Sequence, residues 1–111
     1  MNKQLAITMS LLVCAGAAQA ADNKSPEQIA KDAGCLSCHS ISEKVVGPAY
    51  SAIAEKYKGQ KDAPAQLAQS IKNGSKGHWG RIPMPAHSSL SDAEIKTLVS
   101  WVLAQQPKDK K

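Results

Sequence analysis

The chain has 111 residues, with 14 Lys and Arg against 9 Asp and Glu, for a formal net charge of +5. The excess is spread thinly: no run of five basic residues occurs, and the densest cluster is the terminal "KDKK", so composition argues against a nucleic-acid binder. Two Tyr, two Trp and no Phe are thin apolar material for a self-sufficient small core, and three Cys exclude a multi-disulfide framework.

The N-terminus, "MNKQLAITMSLLVCAGAAQA", has an early Lys3, an apolar run from Leu5 to Ala18, and Ala18-Gln19-Ala20 as a small-residue cleavage site. This pattern predicts a signal peptide over residues 1–20, with residues 21–111 exported to the periplasm as one domain. Cys14 raises the alternative of an acylated lipoprotein, but Val13 stands where that processing wants a small residue. The apolar run is too short to span a bilayer, and nothing later approaches the roughly 18 apolar residues a membrane helix needs, so no membrane anchor is expected. Cleavage removes one lysine and no acid, taking the net charge from +5 to +4.

Helices and loops follow, without strand-like alternation. Ser25, Pro26 and Gln28 form an N-terminal capping signature, so a first helix is expected through Ile29 to about Ala33, stopping at Gly34. The next residues, "GCLSCHS", contain Cys-x-x-Cys-His over Cys35, Cys38 and His39. That is the attachment signature of c-type haem: both thiols form thioethers with the porphyrin, and the histidine ligates iron. One helical turn presents Cys35 and Cys38 to one edge of the macrocycle, so His39 reaches the iron at small entropic cost. Export agrees, because bacterial haem attachment of this type takes place outside the cytoplasm. The competing reading is a redox-active or structural disulfide across Cys35 and Cys38, which would ordinarily start a helix in a βαβ setting. The sequence offers no strands to build one.

"SEKVVGPAY" reads as a loop punctuated by Gly47-Pro48, Tyr50 to Tyr57 as a short helix ended near Gly59, and Ala63 to Lys72 as a third helix stopped by Asn73-Gly74. "GSKGHWGRIPMPAHSSL" should be irregular. Ser91 and Glu94 then make a capping box, and Ile95, Leu98, Val99, Val102 and Leu103 recur at helical spacing before Pro107. An irregular segment of that length usually carries a site. It holds the three further axial-ligand candidates of the mature chain: Met84, His78 and His87. Met84 is favoured because Pro83 and Pro85 stiffen the backbone on either side, and its soft thioether suits Fe(II) and raises the potential relative to a second histidine. His78 and His87 read most simply as solvated loop residues.

"GCLSCHSISEKVVGPAY", "IKNGSKGHWGRIPMP" and "LVSWVLAQQ" together resemble the short class I bacterial cytochromes c that donate electrons to dissimilatory nitrite reductase in denitrifying bacteria. The resemblance covers residues 24 to 106. It implies an all-α fold of about four short helices wrapped around one covalently bound haem, with crossing terminal helices and a long irregular loop carrying the methionine ligand. It further implies that Pro48 lends its carbonyl to the Nδ1 proton of His39, that Trp79 donates its indole N–H to a haem propionate, and that Trp101 packs in the last helix. Two positions depart from the family pattern. His87 stands where Asn is usual, and Ser70 where a basic residue often approaches the propionates. If His87 lies near the haem, its protonation should raise the potential as pH falls.

With His39 and Met84 on the iron, no coordination site remains for substrate, so the expected function is reversible one-electron transfer rather than catalysis. The expected partners are redox proteins, possible acceptors being nitrite reductase or a terminal oxidase, met by a monomer through a small patch rimmed by lysines such as Lys31, Lys44 and Lys76. The same lysines read equally well as solvated surface. The alternatives are a five-coordinate haem enzyme or ligand sensor, and a dithiol oxidoreductase.

Overall fold

The computed structural model describes residues 24–106, and the predicted signal peptide and the tail from Pro107 lie outside them. Four α-helices follow in order: α1 (Pro26–Asp32), α2 (Tyr50–Lys56), α3 (Ala63–Asn73) and α4 (Asp92–Leu103), with a 3₁₀ turn over Cys35–Ser37 just after α1. No β-strand occurs among the described residues, only two isolated antiparallel bridges.

Local chemistry sets the helix starts. The Ser25 hydroxyl accepts from the Gln28 N–H at 3.2 Å, with Pro26 in the first turn. At α4 the box is complete: Ser91 Oγ accepts from the Glu94 N–H at 3.1 Å, while Glu94 Oε1 accepts from the Ser91 N–H at 3.1 Å. Two otherwise orphaned donors are satisfied by that exchange. Ser91→Ala is therefore expected to cost about 1 kcal/mol of unfolding free energy, read as a lower denaturation midpoint with an unchanged slope.

The last helix is the hub, because its apolar face is wide enough to take the other three. Ile95, Val99 and Val102 pack with Tyr50, Ile53 and Tyr57 of the α2 segment and with Ala63 and Leu67 of α3. Leu98 packs with Ile29 and Ala30 of α1, so the terminal helices meet as the resemblance implied. No large side chain among the described residues falls below 2% exposure. The reason is geometric: Tyr50, Ile53, Tyr57, Leu67, Val99 and Val102 all also face a central cavity.

The segment after α3 is more ordered than its composition suggests. Met84 N–H donates to Ser75 O at 2.8 Å and Ser75 N–H to Met84 O at 3.0 Å, closing residues 75–84 into a loop, and His87 N–H donates to Ile71 O at 2.8 Å. Pro83 and Pro85 lack amide donors, but Met84 between them uses both of its backbone groups.

Candidate functional site

The cavity measures about 590 Å³, within the range of pockets that bury a whole small-molecule or cofactor ligand. Cys35, Cys38, His39, Pro48, Trp79 and Met84 all face it, so the structure gathers every residue singled out as a haem contact around one space. The 3₁₀ turn does this for the first three: Cys38 N–H donates to Cys35 O at 3.2 Å and His39 N–H to the same oxygen at 2.9 Å. Both thiols are unbridged and half-buried. Burial pushes the Cys35 thiol above its usual range, partly offset by a hydrogen bond from the Tyr50 hydroxyl; burial likewise pushes that hydroxyl well up.

The histidine is fixed from two sides. Its Nδ1 lies 2.7 Å from Pro48 O. A carbonyl can only accept, so Nδ1 carries the proton and the neutral ring keeps its lone pair on Nε2, the tautomer a metal ligand needs. Tyr50 stacks on the imidazole with ring centres 5.1 Å apart at 20°, and is itself braced edge-on by Trp101 at 5.2 Å. Gly47 allows the ring its place, since a Cβ there would lie 2.5 Å from His39 Cε1.

A second glycine positions the methionine. Gly74 has φ +82, and a Cβ on it would lie 2.7 Å from Met84 O. Only a residue without a side chain lets the strap close onto the end of α3. Gly74→Ala is expected to cost about 1–3 kcal/mol through backbone strain, read as a lower midpoint in a thermal melt.

Trp79 is 38% exposed at the cavity edge, with Lys56 Nζ 4.4 Å from its ring centre. Ser70 faces the cavity, as does the exposed His78. His87 is half-buried and does not line the cavity; its backbone N–H bonds to Ile71 O near the end of α3. Of the three rim lysines, Lys44 lines the cavity, whereas Lys31 and Lys76 are exposed and do not. Sequence reasoning missed Tyr50, Gly47, Gly74 and Lys56. Only the Gly-Pro and Asn-Gly dipeptides gave any signal, and they read as chain punctuation rather than as close approaches.

These features suit haem c. The wall is mainly apolar and includes no Asp or Glu; two thiols stand one turn apart on it, an imidazole with a free Nε2 follows them, and a thioether shares the same space. All of this is what covalent attachment and a soft axial donor require.

The family model described as Cytochrome c matches residues 25–106. Cytochrome c-551 of Pseudomonas aeruginosa is 53% identical over 89 residues, covering 80% of this chain and 85% of that protein. Cytochrome c-552 of Nitrosomonas europaea is 47% identical over 94 residues, covering 85% and 86% of the two chains. The crystal structure of wild-type Nitrosomonas europaea cytochrome c552 superposes with a TM-score of 0.70 at 46% identity, covering 72% of this chain and 99% of that one.

Proposed function

The chain belongs to the cytochrome c family as a small monohaem class I member and electron carrier, and on that premise we propose that it is a periplasmic one-electron shuttle whose haem iron is held by His39 and Met84. Haem c, when bound, supplies an iron that alternates between ferric and ferrous states. The protein's own residues do the rest. Cys35 and Cys38 anchor the macrocycle; Pro48 holds His39 in the tautomer that offers Nε2 to metal; and Met84 offers a thioether from a strap whose backbone is bonded on both sides. Apolar side chains around the site keep water away and keep reorganisation small on electron transfer. Trp79 offers an indole N–H to a haem carboxylate at the cavity edge.

One observation carries the reading: the imidazole with its free Nε2 and the sole methionine of residues 24–106 face the same cavity as the two thiols. With His39 and Met84 both holding the iron, the chain would leave no place on the metal for a substrate. Exposed Val45 (54%), Val46 (46%) and Ile82 (69%) line the mouth and make a small apolar contact patch, with Lys44 beside it. That suits brief encounters between a monomer and other redox proteins, among them nitrite reductase or a terminal oxidase, with a total interface below about 1,200 Å². Among the described residues no helix is long and apolar enough to cross a membrane.

Carbon monoxide separates a carrier from a five-coordinate enzyme or sensor. The reduced protein at neutral pH is expected to show no spectral change with the gas and to exchange electrons rapidly with a second c-type cytochrome. Stoichiometric binding would contradict the proposed ligation.

A further inference from the structure

Haem brings two propionate carboxylates to a cavity whose wall, among the described residues, includes no acid and only two permanently charged side chains, Lys44 and Arg81. A carboxylate taken partly out of water needs a cation or several donors. Lys44 is tied by its backbone bridge to His39, on the segment that carries the thiols. The thioether-forming and propionate-bearing edges of the porphyrin are opposite one another, so a lysine held on the thiol segment is poorly placed to serve the propionates. Arg81 belongs to a different wall, the loop between Ser75 and Met84. Its guanidinium has no ion pair or hydrogen bond among the described residues, and Trp79, two positions earlier, is held by Lys56 at 4.4 Å. Ser70, which also faces the cavity from α3, offers only a hydroxyl.

We propose that Arg81 is the cation that pairs with the haem propionates in this protein. It would act as a positioning residue at the propionate edge, its planar fork of donors matching a carboxylate where a lysine offers a point charge. The proposal rests on the haem assignment but is independent of which side chain ligates the iron. His78 faces the same cavity, and Lys56 reaches it through Trp79, so both contribute to the local field and are left unchanged in the test.

The test compares the holoprotein with Arg81→Gln and Arg81→Lys, using Lys96→Gln on α4, outside this cavity, as a control for simple loss of one charge. Two readouts are taken: the propionate bending band in the resonance Raman spectrum, and the reduction potential at one pH and salt concentration. Arg81→Gln is expected to shift the band and lower the potential, because loss of a nearby positive charge favours Fe(III). Arg81→Lys should recover part of the potential while its band stays shifted, and Lys96→Gln should leave the band in place and the potential nearly so. The proposal is overturned if Arg81→Gln matches Lys96→Gln in both readouts, including the case in which the variant merely loses affinity for an acidic partner protein. It is also overturned if Arg81→Lys leaves the band unmoved. Retention of the sulfur-to-iron band in every variant separates these outcomes from any failure of methionine ligation.

Discussion

Replacing either thiol, as Cys35→Ala or Cys38→Ala, is expected to leave little folded holoprotein. The physical cause is the shape of the core. Tyr50, Ile53, Tyr57, Leu67, Val99 and Val102 are buried and each also faces the central cavity, so a bound group would supply the packing partners on their inner side. A domain of this size rarely draws more than about 3–5 kcal/mol from its own core. Binding free energy delivered to the folded state alone adds directly to stability. Loss of one thioether halves the covalent attachment, so fewer chains load the cofactor, and a chain that does not load it loses most of the net stability. Yield of coloured protein and a denaturant titration check this. An apoprotein that unfolds cooperatively at normal yield would show that the helices sustain themselves.

The second large effect belongs to Met84→Ala. No other methionine exists between residues 24 and 106, so no second Met side chain can replace the sulfur. Under the proposed ligation, the place Met84 vacates would be taken by water or an imidazole, both harder donors that favour Fe(III). The potential is expected to fall by about 100 mV, a modest part of the roughly 0.8 V over which axial ligands tune haem, which at about 59 mV per decade is close to fiftyfold in the reduced-to-oxidised ratio. The reduced variant should also bind carbon monoxide where the parent does not. An unchanged potential and a persistent sulfur-to-iron band would place the ligand elsewhere. Met84→Ala keeps the backbone pairing with Ser75, because that pairing uses only main-chain atoms, so the substitution isolates the thioether from the strap.

Features that depend on a few consecutive residues were legible in the sequence. Ser25 caps α1 and the Ser91–Glu94 box caps α4 as their spacing implies, and the helix bounds agree within about two residues because caps and glycine stops act locally. The thiol–imidazole group was legible for the same reason. What stayed hidden depends on residues far apart in the chain. The Ser75–Met84 bridge turns a segment that reads as irregular into a closed loop, and no residue type marks a bridge in advance. Gly47 reads as turn punctuation, whereas its importance is the 2.5 Å between a would-be Cβ and His39. Tyr50 looks like the first residue of a helix; only folding reveals that its ring carries the imidazole. Lys56 on Trp79 joins the end of α2 to the methionine loop, and nothing in the one-dimensional pattern pairs them.

Whether the iron of this carrier is held by His39 and Met84 can be read directly from the reduced protein by proton NMR. Protons held over the face of a porphyrin are moved strongly upfield by its ring current, and Met84 is the one methionine between residues 21 and 111, so its S-methyl signal needs no separate assignment after cleavage at the predicted site. The expected spectrum has a three-proton singlet far upfield of the ordinary aliphatic region, together with upfield ring protons from one histidine. A methionine methyl at its ordinary position in the reduced, fully haem-loaded protein would contradict that ligation.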